Sequence, residues 1–168
     1  MIPAMLRAMR PKQWLKNILV FAAPGAAGVL DNPDDFVTTV IAFVAFCLAA
    51  SGTYVWNDLN DLEADRTHPS KRDRPFAAGL VPLGVARAMG VVRPLAALAV
   101  AGATGRWDTV GVIAVYLVLT ISYTLWLKDV AIIDLLAVAS GFVLRAAAGA
   151  VAVDVPMSRW FILCVTFG

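Results

Sequence analysis

The chain repeats one arrangement, in which apolar runs of about 20 residues are separated by short charged islands, and about 20 residues is what an α-helix needs to cross a bilayer's hydrocarbon core. With 60% hydrophobic and 15% charged residues and a mean hydropathy of +0.76, a soluble globular domain is excluded. The predicted fold is all-α: a multi-pass transmembrane helical bundle forming a single membrane domain over residues 1–168. Residues 1–16 carry Arg7, Arg10, Lys12 and Lys16 around Trp14, a pattern suited to the membrane interface. The apolar run 18–30 then reads as an uncleaved first helix rather than a signal peptide, because Pro24 and Gly25 interrupt it and the basic part is long. Further spans are expected over 36–56, 77–102 with Pro94 as a candidate kink, up to Trp126, Leu127 and Lys128, and over 130–153. A sixth begins near Arg159 and stops short of a bilayer's width at Gly168, so the chain is expected to be the amino-terminal part of a longer protein.

Bases mark the expected orientation. The amino terminus, the loop from Arg66 to Arg74 and the turn at Lys128 are basic, whereas residues 31–35 hold acids alone, which places the first three at the cytoplasmic face of a cell membrane. Cys47 and Cys164 both lie in apolar runs, where thiols behave as small hydrophobes, so neither a disulfide nor a metal site is read in them. No feature calls for nucleic acid, and homo-oligomerisation is left open.

One charged stretch stands apart, residues 57–75, NDLNDLEADRTHPSKRDRP. If it continues the preceding helix, Asn57, Asp61 and Asp65 recur at i, i+4 and i+8 on one face, with Asp58 at its border. Four oxygen-bearing side chains on one face suit a hard cation such as Mg²⁺, which keeps open positions for substrate phosphates. Arg66, Lys71, Arg72 and Arg74 follow at once and supply fixed positive charge for phosphate oxygens. Carboxylates for metal beside cations for phosphate form the layout of a site from which pyrophosphate leaves. A solvated loop whose acids and bases pair with one another is the competing reading of any such run. An EF-hand is excluded because the required glycine and terminal glutamate are missing. His68, next to Pro69, reads as a turn residue rather than a base.

The pattern N-D-x-x-D-x-x-x-D at the end of an apolar helix, followed by a basic run closing in R-P-x-x-x-G at Arg74, Pro75 and Gly79, resembles the first aspartate-rich motif of the UbiA superfamily of intramembrane prenyltransferases. That resemblance implies a bundle of about nine helices, of which about six would be present, and a second aspartate motif beyond this sequence. It also implies Mg²⁺ as cofactor, held by Asn57, Asp58, Asp61 and Asp65, with the three aspartates serving catalysis. Tyr123 and Lys128 resemble the tyrosine and lysine that hold pyrophosphate in the superfamily, while their interfacial positions offer an anchoring role as the alternative. Asp134 and Arg145, 11 residues apart and hence on one face of the same span, are expensive in a bilayer and expected to face the bundle interior. For Arg145, pairing with another helix is an equally open role. Gly141 and Gly149 read as positions of close helix packing.

Three segments, LRAMRPKQWLKNILVFAAP, ADRTHPSKRDRPFAAG and DVAIIDLLAVASGFVLRAAAGA, resemble the phosphoribosyl-transferring branch of that superfamily, which serves actinobacterial cell-wall arabinan synthesis. The implied reaction moves 5-phosphoribose from phosphoribosyl pyrophosphate to a polyprenyl (decaprenyl) phosphate. Lys12, Lys16 and Asn17, from the R-P-K-Q-W-x-K-N string, then join Arg66, Lys71, Arg72, Arg74, Tyr123, Lys128, Asp134 and Arg145 as candidate substrate-binding residues. Two other functions remain in view: transfer of a prenyl group from its diphosphate to an aromatic acceptor, and a non-catalytic membrane or transporter protein.

Overall fold

The computed structural model describes residues 1–127 and 131–167. Among them there is no strand, and four helices are long and apolar enough to cross a membrane. In chain order the α-helices are α1 (Ile2–Ala8), α2 (Ala22–Ala26), α3 (Pro33–Asn60), α4 (Leu62–Thr67), α5 (Leu83–Gly102), α6 (Trp107–Ser122), α7 (Ala131–Ala152) and α8 (Arg159–Phe167). The protein is thus a helical membrane protein.

Helix α3 is the centre of the bundle. Its start is fixed locally: the Asn32 side chain accepts from the Asp34 amide at 2.9 Å, Pro33 occupies the first turn, and Asp34 and Asp35 sit at the positive end of the helix dipole. Its interior face is mostly small (Ala42, Ala45, Ala49, Ala50, Ser51, Gly52), which lets neighbouring backbones approach closely. Helix α5 uses that closeness. A Cβ on Gly52 would lie 2.6 Å from the Pro94 ring, and the Trp56 indole donates to the Gly90 carbonyl at 2.8 Å. Pro94 therefore sits inside a continuous α5 as a packing residue. The helix begins at Leu83 rather than near Ala77, because residues up to Pro82 form a turn with Gly79 at φ 69°.

The first apolar run departs most from expectation. Instead of one helix over 18–30, the chain forms a 3₁₀ helix (Pro11–Phe21), the short α2 and a single 3₁₀ turn (Val29–Asp31), with Gly28 at φ 71°. Pro24, Gly25 and Gly28 explain the breaks. The tighter helix has its own logic. Three residues per turn put Trp14, Asn17 and Val20 on one face. Trp14 donates to the Ser51 hydroxyl at 3.0 Å, Asn17 donates to Cys47 Sγ at 3.2 Å, and Val20 is fully buried. The Val20 carbonyl meets α7 so closely that a Cβ on Gly149 would lie 1.7 Å from it, which bears out the packing role read for that glycine.

Two ties register the ends of the bundle. Asn60 donates to the Thr124 carbonyl at 3.4 Å, joining the end of α3 to a single π-turn (Tyr123–Leu127) that follows α6. Arg106 pairs with Asp154 at 2.9 Å, so the turns after α5 and after α7 lie at one end, as alternating spans require. Trp107, Trp126 and Trp160 are exposed at helix ends, where indoles favour the membrane interface.

Candidate active site

The aspartate-rich stretch does continue α3, with a break at Asp61 before α4. Across the break the Asp61 amide donates to the Asn57 carbonyl at 3.0 Å, and the Asp65 amide donates to the Asp61 carbonyl at 2.8 Å, so one helical turn separates each of the three. Their side chains nevertheless part: Asn57 lines a membrane-side cavity, whereas Asp65, with Asp58, is held among arginines on the loop side.

On the loop side, Asp58 and Asp65 are buried and held by arginines. Arg74 Nη1 bonds Asp65 Oδ2 at 2.6 Å and reaches Asp58 Oδ1 at 3.3 Å, and Arg10 forms an ion pair with Asp58 Oδ1. Arg10 adopts a left-handed backbone (φ 51°, ψ 59°), an uncommon conformation for a side-chain-bearing residue. That conformation turns its guanidinium over the Tyr54 ring, 5.0 Å from the centroid, as well as onto Asp58. Arg7, Arg10, Ser70 and Arg74, together with Asp58 and Asp73, line a cavity of about 270 Å³ beside this cluster.

On the membrane side, α3, α6, α7 and the 3₁₀ helix enclose a cavity of about 210 Å³. Asn57, Tyr123, Thr124, Lys16 and Arg145 are on its wall, and no acidic residue lines it among the described residues. Arg145 is 6% exposed. Its Nε donates to Asn17 Oδ1 at 2.8 Å, Nη1 to the Gly141 carbonyl at 2.6 Å, and Nη2 to the Tyr116 hydroxyl at 3.3 Å. The faces of Tyr116, Phe46 and Phe142 lie 5.2, 5.5 and 5.9 Å from its guanidinium carbon. Among the described residues it has no acidic partner.

The other predicted residues are distributed as follows. Arg66 pairs with Glu63 at 2.9 Å on the exposed side of α4, and Lys71 and Arg72 are exposed on the following loop. Lys12 lies on an outer groove with Trp14, Leu15 and Ile18, away from the inner cavity that Lys16 reaches. His68 Nδ1 accepts from the Ser70 amide at 3.2 Å, as a turn residue should. Lys128 lies outside the described residues, as does the side chain of Asp134. Sequence reasoning missed Arg10 and Tyr54. Arg10 stood in the R-P-K-Q-W-x-K-N string, but its partner is 48 residues away and no local pattern connects them.

The donor chemistry for Mg²⁺ is hard oxygen throughout, which fits, yet the four expected ligands do not share one centre. Among the described residues no three His, Cys, Asp or Glu side chains converge on a metal position. Asn57, on the wall of the membrane-side cavity, and Asp61, one helical turn further on, offer the few hard oxygen ligands that such a cation takes.

The sequence profile of the UbiA prenyltransferase family matches residues 18–168. Two relatives described as decaprenyl-phosphate phosphoribosyltransferase are similar over nearly the whole chain. The one from Mycolicibacterium smegmatis is 44% identical, covering 100% of this chain and 54% of the relative, and the one from Corynebacterium glutamicum is 47% identical, covering 98% and 50%. The chain thus spans about half the length of the curated relatives it matches. A UbiA homolog from Archaeoglobus fulgidus, solved bound to DMAPP and Mg²⁺, superposes with a TM-score of 0.81 at 20% identity, covering 97% of this chain and 59% of that one. At that identity the match speaks for the fold.

Proposed function

This chain belongs to the UbiA prenyltransferase family, and from that premise we propose that it serves the transfer of 5-phosphoribose from phosphoribosyl pyrophosphate to a polyprenyl (decaprenyl) phosphate. The similarity to phosphoribosyltransferases over essentially its whole length supports this reading. The observation that carries it in the structure is the position of the aspartate-rich end of α3 between two cavities that each present cations, Arg7, Arg10 and Arg74 on one side and Lys16 and Arg145 on the other. A prenyl donor brings one anionic group, its diphosphate. A phosphoribosyl donor and a lipid phosphate bring three, and more anionic groups need more cations.

In the proposed reaction an oxygen of the lipid phosphate attacks the anomeric carbon, the bond from that carbon to the diphosphate breaks, and pyrophosphate leaves with the electron pair. No protein nucleophile is required. Asn57 and Asp61 would hold Mg²⁺, with Asp58 and Asp65 as the neighbouring carboxylates. When bound, the cation offsets the charge that develops on the departing pyrophosphate. Arg10 and Arg74 fix the Asp58 and Asp65 side chains, and so hold the α3–α4 break in place. Tyr123 and Lys128 would steady the pyrophosphate. The distribution of bases puts this end of the bundle at the cytoplasmic face, where soluble phosphorylated donors are.

The test uses membranes containing the full-length protein, radiolabelled phosphoribosyl pyrophosphate, polyprenyl phosphate and Mg²⁺. Label is expected in the lipid fraction. If none moves while a prenyl diphosphate is consumed with an aromatic acceptor, prenyl transfer replaces this reading.

A further inference from the structure

Arg145 is a fixed cation deep in a spanning helix, with no acid beside it among the described residues, and such a group is costly unless something in the site needs it. Its surroundings stabilise the guanidinium without neutralising it. Asn17, Tyr116 and the Gly141 carbonyl supply neutral dipoles, and three aromatic faces supply quadrupoles. Three recorded hydrogen bonds engage three of its five N–H groups, leaving capacity for a further acceptor. Among the described residues the cavity's lining holds no carboxylate but does hold Lys16, whereas its Thr53 and Thr124 hydroxyls donate into their own helices. Two cations, Arg145 and Lys16, therefore face the cavity with no carboxylate among its described lining residues.

Depth says which anion. Asn57 is at the cavity's aspartate-rich end, and Phe46, whose ring faces the Arg145 guanidinium, lies 11 residues further down α3, about 16 Å at 1.5 Å per residue. A diphosphate held beside Asn57 and Asp61 leaves the Arg145 end of the cavity to another group of the donor. Resting on the phosphoribosyl reading above, we infer that the membrane-side cavity seats the phosphoribosyl half of the donor, with its ribose 5-phosphate on Arg145 and Lys16. The phosphate monoester is taken up where a prenyl donor would have to bury hydrocarbon against a guanidinium. The pair thus sets donor specificity, and Asn17, which holds Arg145 in place, is a positioning residue.

The test measures equilibrium binding of radiolabelled phosphoribosyl pyrophosphate, with Mg²⁺, to the full-length protein in lipid nanodiscs, beside a ribosyl 1-diphosphate that lacks the 5-phosphate. Losing charge-assisted hydrogen bonds predicts that Arg145→Gln weakens the phosphorylated donor by about tenfold or more, leaves the truncated donor within about threefold, and leaves the KM for polyprenyl phosphate within about threefold. Asn17→Asp places a resident counter-anion on Arg145, so it should weaken the phosphorylated donor while the melting temperature is kept or raised. That variant decides the matter if Arg145→Gln fails to fold. A rise in the lipid KM with donor affinity unchanged assigns the anion seat to the acceptor and overturns the inference. Equal losses for both donors overturn it as well. Wild-type protein that binds a prenyl diphosphate and no phosphoribosyl pyrophosphate refutes instead the functional reading on which it rests.

Discussion

Gly149→Ala sets two effects of opposite sign against each other. On helix propensity alone, alanine in the interior of α7 should stabilise by up to about 1 kcal/mol. The structure opposes this, since the new Cβ would lie 1.7 Å from the Val20 carbonyl oxygen. A carbon–oxygen contact needs about 3.3 Å, so α7 and the 3₁₀ helix would have to part by about 1.6 Å. The obstacle is backbone, not the end of a flexible side chain, so overpacking of about 1–3 kcal/mol or more wins. The same displacement would stretch the Asn17–Arg145 hydrogen bond from 2.8 Å beyond bonding range. We therefore expect a lower melting temperature in nanodiscs together with weaker donor binding. Gly111→Ala, in the interior of α6 with no atom within 4 Å of its added Cβ, serves as the control and should be neutral or slightly stabilising. If Gly149→Ala melts with or above wild type and binds the donor as well, the close approach of these two segments is refuted.

Three further outcomes are expected. Asp61→Asn in the full-length protein should remove nearly all turnover while membrane insertion and folding persist, and activity within about threefold of wild type at saturating Mg²⁺ would take Asp61 out of the metal site. Arg74→Ala strips Asp65 of the ion pair described here for it and should destabilise by about 3–5 kcal/mol in a denaturation assay, with part of that loss recovered by adding Asp65→Asn; equal stability of the single variant would show that the cluster contributes nothing. In a background without Cys47 and Cys164, a cysteine replacing Ser70 should react with an impermeant reagent from the cytoplasmic side and one replacing Asn32 from the opposite side, and the reverse pattern would invert the orientation.

What could be read ahead of the structure followed the range of the interactions. The spans over α3, α6 and α7 were legible because periodic apolar content is local, and the aspartate face was legible because i, i+4 spacing is local. The first span was misread for a related reason: hydropathy sees 18–30 as apolar but cannot see that Trp14, Asn17 and Val20 align only when the backbone tightens to three residues per turn. The separation of Asp58 and Asp65, held among arginines, from the cavity that Asn57 lines was hidden altogether. It depends on Arg10 reaching Asp58 across 48 residues, and on Arg74 bridging Asp58 and Asp65, choices made by tertiary folding among several nearby bases.

The Asn17–Arg145 contact also sets a schedule for biosynthesis. The two residues are 128 positions apart, and at about 5–20 residues per second a ribosome needs about 6–26 s to make the second after the first. During that interval the Asn17 side chain has Cys47, 30 residues later, as its partner and still lacks Arg145. A segment in that position gains from being sheltered at the insertion machinery until α7 arrives. Slowing synthesis between α3 and α7, by rare codons for instance, should then lengthen the vulnerable window and lower the yield of folded protein without any change in its sequence.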